Sequence, residues 1–394
     1  MTRLRKRPSS SVSLSVGVNL LWMVPGVVGG SEDYLVRSLL ALGAHKPPDV
    51  DVTVLGLDTL ASAHPALAES FPLVTLPLRG RLKPARVLAE TSWLPVQVLR
   101  RRFDVVHHGG GVLPLWAPAR TVVTIHDIQP FIFPDTFRTV KRLWLQRMLP
   151  RAARKADVVV TTSRFVAETV IDRLGAPPER LRQVPPCPAP RLADPEVDPN
   201  QVLARLGLSQ RYVVYPAITY PHKNHRVLVE ALARPEWPAD VDLVLTGGAA
   251  QAEEDLGRRV AELGLAGRVH RTGRVARGDL DALLQEALAL VFPSTYEGFG
   301  VSVLEAFGEG TPVVAARAGA LPEVVEGAGT LVEPSDPAAW AAAVRQLAEE
   351  GPEARTDRSV AGRARAASFT PARTAEALVA AWRAAAAGAE EPCL

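Results

Sequence analysis

A chain of 394 residues exceeds what one hydrophobic core usually supports, so two domains are expected, and 47% hydrophobic with 22% charged residues fits a globular α/β protein. The net charge of +3 hides an uneven split: residues 1–190 hold 25 Lys and Arg against 14 Asp and Glu, and residues 191–394 hold 20 against 28. A basic first half suits an anionic acceptor, an anionic membrane surface or simply well-solvated Arg-rich helices, while the acidic second half argues against nucleic-acid binding.

The first 26 residues have a basic head and an apolar run, as a secretory leader would, but Ser13, Gly17 and Asn19 interrupt the run and no small-residue cleavage site follows. Residues 16–24 read instead as the first strand of an α/β domain. No apolar stretch reaches transmembrane length, so any membrane contact is expected to be peripheral. The loop Pro25-Gly26-Val27-Val28-Gly29-Gly30 leads into a helix over 31–42, with Leu35, Leu39 and Leu40 on one face. This loop is not GxGxxG and gives a nicotinamide site no support. A tight turn from strand to helix needs glycine in any case.

Residues 103–107 and 121–125 read as consecutive buried parallel strands. His126 and Asp127 follow the second, at the carboxyl edge where open α/β sheets bind ligands. His126 there could donate to a sugar hydroxyl or stabilise charge on a leaving phosphate, or merely cap the strand turn. His107 and His108, before a triple glycine, border the site at most. A helix over 138–155, a strand over 158–161 and a helix N-capped by Ser163 come next. The stretch VPPCPAPRLADPEVDP is the most proline-dense of the chain and reads as a linker. Its Cys187 and the terminal Cys393 form neither a disulfide framework nor a metal-ligand cluster, which points to a reducing, cytoplasmic setting.

The second half opens with a strand over 212–216, the turn Thr219-Tyr220-Pro221-His222-Lys223-Asn224-His225, and a helix over 226–233. Lys223 stands just before a helix start at a strand's carboxyl end, a good place to meet a diphosphate. A strand over 242–247, a helix over 252–263 and a strand over 269–273 follow, the last running into Arg274 and Val275. After a helix over 279–287 and a strand over 287–292 comes the loop Glu297-Gly298-Phe299-Gly300, then a helix over 301–307. Strand, glycine loop and helix start make an anion site, because the first helical amides lack internal partners and sit at the positive end of the dipole. Glu297 and Glu305, eight residues apart, can both face a ligand on that helix start, and carboxylates accept well from sugar hydroxyls. Phosphate-binding amides beside two such carboxylates suggest a sugar nucleotide. Residues 369–385 read as a closing helix started by Pro371.

The spacing of Glu297 and Glu305, with Pro293-Ser294, Leu304-Glu305-Ala306, Gly310-Thr311-Pro312-Val313-Val314 and Pro322-Glu323-Val324 around them, resembles the donor-site signature of the retaining family 4 glycosyltransferases. The resemblance is dense after Tyr212 and looser before Val122. It implies the GT-B fold: two Rossmann-like domains facing a central cleft, with no metal and no cofactor beyond a nucleotide-diphosphate sugar as donor. It implies an acceptor domain over 1–190, a linker over 191–210, a donor domain over 211–367 and a segment over 368–394 crossing back to the first. On the residues that match, His126, Lys223 and Glu297 are implied as catalytic. Gly29, Gly30, Arg274, Val275, Gly298, Phe299, Gly300, Val301 and Glu305 are implied as donor-binding, with Glu305 on the ribose, Glu297 on the donor sugar and Arg274-Val275 near the base.

Asp49-Val50-Asp51 and Asp240-Val241-Asp242 look like the DxD metal motif of the other major glycosyltransferase fold. Each directly precedes an apolar run, so both read as strand-leading surface residues. One departure from the family stands out: many members place an arginine a few residues before Lys223, where this chain has Ile218 and Thr219. His222, His225 or a residue elsewhere would have to compensate. The implied reaction is retaining transfer of a mannose-like or rhamnose-like sugar to a glycan or lipid-linked acceptor, by a protein peripheral to the inner face of the membrane. A catalytically weak partner subunit, a sugar-nucleotide epimerase and a phosphorylase stay open as alternatives.

Overall fold

The computed structural model describes residues 13–27, 29–78, 80, 82–188, 197–208 and 211–388. It divides into two compact units, one of Met1–Cys187 with Pro371–Leu394 and the other of Pro188–Thr370. Both are α/β units built on an all-parallel sheet, as the alternation of apolar runs and helical patterns predicts.

The first unit has seven strands in the order β3-β2-β1-β4-β5-β6-β7. They are β1 (Leu14–Asn19), β2 (Val50–Leu57), β3 (Leu73–Leu76), β4 (Val105–His108), β5 (Arg120–Ile125), β6 (Val158–Thr161) and β7 (Leu181–Gln183). Every residue of β4 and β6 is buried, which is why these strands read as unbroken apolar runs: helices cover both faces of a parallel sheet. β1 ends five residues earlier than expected. The side-chain oxygen of Asn19 accepts from the Leu21 amide at 3.1 Å and the Met23 amide turns back onto Leu20, so Leu20, Leu21 and Met23 are buried in a turn and not on a strand.

The second unit has six strands in the order β10-β9-β8-β11-β12-β13. They are β8 (Arg211–Pro216), β9 (Val241–Thr246), β10 (Val269–Gly273), β11 (Ala289–Phe292), β12 (Val313–Ala316) and β13 (Thr330–Val332). In each sheet the strand order reverses once, between β1 and β4 and between β8 and β11. Such reversal points open a crevice at the carboxyl ends of the two strands.

Two expectations are corrected. Part of the 191–210 linker lies outside the described residues, but its later part holds a helix, Pro199–Arg205, whose Val202 is buried in the core of the second unit. Asp198 caps that helix, accepting from the Asn200 amide at 3.0 Å, and Pro199 has the φ a first turn wants. Nor is Asp242 a surface residue: it is buried and paired with Arg268 at 3.4 Å and His270 at 2.8 Å. Asp49 and Asp51, by contrast, lie outside the core, bonded to Arg383 and Ser13.

The closing helix, Pro371–Ala387, belongs to the first unit. Leu378, Val379 and Trp382 are buried in the same core as Leu35 and Leu39 of the helix Gly30–His45. Trp382 Nε1 donates to His107 Nδ1 at 3.2 Å, and the other ring nitrogen of His107 donates to Thr124 Oγ1 at 2.7 Å. One indole thus fills the core and ties the chain's end to β4 and β5. Trp382→Ala is expected to destabilise the protein by about 3–5 kcal/mol, read as a lower urea midpoint.

Candidate functional site

In the second unit the loops after β8 and β11 flank the reversal point of the sheet and are bonded to one another. The Thr295 amide donates to His222 O at 2.8 Å, and Asn224 Nδ2 reaches Pro293 O at 3.2 Å and Pro334 O at 2.7 Å. Beneath them Tyr215 Oη donates to Lys223 O at 2.9 Å and lies 2.9 Å from Ser294 Oγ. Between these loops Lys223 Nζ meets Glu297 Oε1 at 2.6 Å, the two side chains only 20% and 13% exposed. The sequence places this lysine and this carboxylate 74 residues apart, and the parallel crossovers bring them together.

Glu297 is held from behind as well. Ala320 donates its amide to Glu297 O at 3.1 Å, and a Cβ on Gly319 would lie 2.7 Å from both the nitrogen and the oxygen of Glu297. With φ at 58°, Gly319 is therefore required for both its conformation and its small size. Gly300, at φ 99°, caps the helix Val301–Glu309 with no side-chain bond, so the open amides of that helix start stand beside the Lys223–Glu297 pair's loop. Phe299 is buried edge-on against Phe369 at 5.5 Å, so any ligand contact by this residue is through its backbone. Val301 packs partly into the core, as does Val275.

Glu305 is buried on the same helix, and Arg277 Nη1 contacts its Oε1 at 2.5 Å. Arg277 also pairs with Asp281 one turn along its own helix, Arg277–Glu286, at 2.8 Å. Burial works against the guanidinium charge, but Glu305 and Asp281 outweigh it and raise the Arg277 pKa. Sequence reasoning missed Arg277. Its spacing to Asp281 is visible as an i,i+4 pair, but nothing local signals Glu305, 28 residues on.

Where an arginine was missing, Thr219 is buried. Its hydroxyl donates to Glu253 Oε2 at 2.8 Å and accepts from the Ala250 amide at 2.8 Å, closing the loops after β8 and β9 on each other. The histidines do not supply the absent charge. Burial, with Lys223 next, pushes His222 down to about 4, and burial pushes His225 down to about 4, so both are neutral near pH 7. Arg274, exposed at the end of β10, has no hydrogen bond or ion pair among the described residues and lies beside Gly248.

In the first unit His126 follows β5, its ring edge-on to Tyr34 at 5.2 Å. Its Nε2 donates to Gly109 O at 2.9 Å, which leaves Nδ1 as an acceptor. Burial pushes it down to about 4, with the bond to Gly109 working the other way. His126 is therefore neutral, and with Nε2 engaged by Gly109 its open nitrogen is an acceptor, unlike the donor or charge-stabilising group expected for a sugar hydroxyl or a leaving phosphate. His107 is held between Trp382 and Thr124, and His108 lies 3.3 Å from Asn19 Nδ2, both as buried structural residues. Gly29 and Gly30 open the helix Gly30–His45. There Glu32, unnoticed in the sequence, accepts from the Gly26 amide at 2.9 Å and pairs with His64 at 2.8 Å. Among the described residues no group of three or more His, Cys, Asp or Glu side chains could hold a metal ion.

Residues 28–187 match the family described as Glycosyltransferase Family 4, and residues 210–350 match Glycosyl transferases group 1. A D-inositol 3-phosphate glycosyltransferase of Geodermatophilus obscurus is 32% identical over 97% of this chain and 92% of its own. The O-antigen chain mannosyltransferase B of Escherichia coli is 29% identical over 64% of this chain and 67% of its own. Among solved structures, Anabaena Alr3699/HepE in complex with UDP and glucose superposes with a TM-score of 0.69 at 22% identity, covering 93% of this chain and 98% of that one.

Two outcomes test this geometry. Gly319→Ala is expected to cost about 1–3 kcal/mol through its backbone conformation alone, and to displace Glu297. It should therefore lower the urea midpoint, whereas an unchanged midpoint would mean that the loop yields freely. Because burial holds His126, His222 and His225 near 4, the unfolded chain, with histidines titrating near about 6.5, binds more protons below that value than the folded one. The stability that these three histidines contribute is then fully present above about pH 6.5 and is lost as the pH drops towards about 4, which denaturant titrations of the protein and of a variant with all three changed to Gln would read as a difference across that range.

Proposed function

Since this chain belongs to family 4 of the glycosyltransferases, we propose that it moves a sugar, with retention and without a metal, from a nucleoside-diphosphate sugar to a hydroxyl of a glycan or lipid-linked acceptor. Its fold is GT-B, with parallel sheets of seven and six strands in the two units. The observation that carries the reading is the 2.6 Å contact of Lys223 and Glu297 at the reversal point of the second sheet, next to the open helix start after Gly300. It puts a cation, a carboxylate and unpaired amides within one set of loops, which is the equipment for a diphosphate joined to a sugar.

In the proposed mechanism Lys223 and the amides after Gly300 stabilise charge on the departing diphosphate, where it develops as the glycosidic bond breaks. Arg274 is the cation available to assist them in place of the arginine missing near Ile218 and Thr219. Glu297, released from Lys223 when a phosphate takes its place, accepts from hydroxyls of the donor sugar. Glu305, oriented by Arg277, accepts from the ribose, and the backbone around Arg274 and Val275 meets the base. Nδ1 of His126 accepts from a sugar hydroxyl. No carboxylate is assigned as covalent nucleophile: the leaving phosphate takes the acceptor's proton as the new bond forms on the face the diphosphate leaves. The Escherichia coli relative named as an O-antigen chain mannosyltransferase supports a mannose-like donor and a role in polysaccharide or glycolipid synthesis. A rhamnose-like donor is the second choice.

A different reading, a weakly active partner subunit that binds the nucleotide sugar, draws on the cation missing before Lys223: Ile218 and Thr219 stand in the region of the expected arginine, and His222 and His225 are neutral. Thermal unfolding with GDP, UDP and dTDP is the discriminating measurement, since a ligand at a hundred times its Kd stabilises by about 2.7 kcal/mol. A shift with one diphosphate, together with transfer from the matching sugar, is expected; a shift without transfer selects the partner reading, and no shift with any overturns both. Lys223→Ala is expected to lower kcat by roughly a hundredfold or more with a smaller change in donor KM. An effect confined to acceptor KM would remove Lys223 from the diphosphate. Glu305→Ala should weaken donor binding, and wild-type donor affinity in that variant would end its ribose role.

A further inference from the structure

A buried carboxylate is only as well placed as its cation, and Arg277, which holds Glu305, is the first residue of a helix. Its Nη1 reaches Glu305 Oε1 at 2.5 Å, while Nη2 and Nε are fixed to Asp281 at 2.8 and 3.2 Å. The start of that helix, Arg277–Glu286, is weak in itself. No side chain caps it among the described residues, and its second residue is Gly278, the poorest helix former after proline. The conformation of Gly278 does not call for glycine, since it lies inside the helix and outside the left-handed region. Space does: a Cβ there would lie 2.8 Å from Val197 Cγ2.

Val197 stands two residues before the helix Pro199–Arg205, and Arg205 at that helix's end pairs its Nη2 with Asp279 Oδ1 at 2.6 Å. Residues 197–205 therefore grip Gly278 and Asp279, which follow Arg277 directly. Successive helical residues point about 100° apart, so the first turn can hand Arg277 to Glu305 and its next two residues to the gripping segment. The helix Arg277–Glu286 packs against both the helix Pro199–Arg205 and the helix Val301–Glu309 that carries Glu305. Val202, buried in the core of the second unit with Leu203 and Leu206 packed against that core, anchors the segment. Arg205 is 58% exposed and a pair so wet holds weakly alone, but Val197 closes on the neighbouring residue at the same time.

We propose that the segment Val197–Arg205 is a brace for the donor ribose. Through Gly278 and Asp279 it sets the start of the helix Arg277–Glu286, and so the point at which Arg277 holds Glu305 towards the ribose hydroxyls. Val197, Arg205, Gly278 and Asp279 are positioning residues that act through Arg277. The brace rests on the reading of Glu305 as the ribose acceptor and adds a control to it. The chain passes from the first unit to the second between Cys187 and Pro188, and the brace is the first described stretch of the second unit beyond Pro188. A displacement of the chain where it enters the second unit thus reaches the ribose carboxylate through one helical turn.

Two measurements separate the brace from the reading it rests on. The first needs no ligand. Arg205→Gln with Val197→Ala, and separately Gly278→Leu, should raise amide hydrogen exchange over residues 277–286 about fivefold. Urea midpoints should stay near wild type because Val197 and Arg205 are exposed. Leucine suits a helix better than glycine, so faster exchange in Gly278→Leu comes from the displaced Val197 and not from the helix itself. Wild-type exchange in both would overturn the brace. The second measurement compares GDP, UDP and dTDP with analogues that lack the ribose hydroxyls, by calorimetric titration. The wild type should prefer the form with hydroxyls, and Arg277→Gln should lose that preference. The brace variants should lose about fivefold of it while binding the analogue as the wild type does, and Arg205→Lys, which keeps the pair with Asp279, should retain it. A wild type without the preference would remove Glu305 from the ribose, and the brace's role with it. A preference lost in Arg277→Gln but intact in both brace variants would overturn the brace alone.

Discussion

The second unit's site hangs on a single ion pair. Lys223 and Glu297 are mostly buried, and a buried pair of charges survives only where its geometry is good and its surroundings are fixed. The surrounding structure meets that demand: the loops after β8 and β11 are joined through Thr295, Asn224 and Tyr215, and the backbone of Glu297 rests on Gly319 and Ala320. Neither charged residue could be positioned by its own loop alone. The reversal of strand order between β8 and β11 is what sets two loops, distant in sequence, side by side. In the proposed reaction the pair is also a device of exchange, because a diphosphate that takes the lysine frees the carboxylate for the sugar.

Burial also decides which groups carry charge. Five histidines of the two units, His107, His108, His126, His222 and His225, are pushed well below their ordinary range by desolvation. Histidines after the strands of both units are therefore neutral near pH 7 and act through hydrogen bonds. Among the described residues of the loops after β8, β10 and β11, Lys223 and Arg274 are the cations beside the helix start after Gly300, with Arg277 already committed to Glu305 and Asp281. Thr219, in the region where an arginine was expected, works as a link between loops through Glu253 and Ala250.

The two units use their surfaces differently. In the second, nearly every large apolar residue is inside the core. The first secures its own sheet with the chain's last helix, through Trp382 and His107, yet leaves apolar sides of the helices Lys83–Thr91, Trp93–Arg101 and Thr139–Lys155 in water.

Much of this protein was legible in its sequence. Runs such as 158–161 and 287–292 announce buried parallel strands because both faces of such a strand lose water, though the second strand begins two residues later, at Ala289. Ser163, Gly300 and Pro371 mark helix starts because the first turn of a helix has only local needs. The positions of Lys223 and Glu297 in loops after strands, and of Glu305 a turn into the following helix, follow from the same local rules. The tertiary structure alone decided the partners: Arg277 for Glu305, Arg268 and His270 for Asp242, Gly319 behind Glu297, Gly109 for His126. It also ended β1 at Asn19 and folded 199–205 into a helix inside a stretch that composition marks as a linker. The reason is one of range: propensity and periodicity act over a few residues, whereas charge state, tautomer and pairing are set by whatever the folded chain brings within about 3 Å.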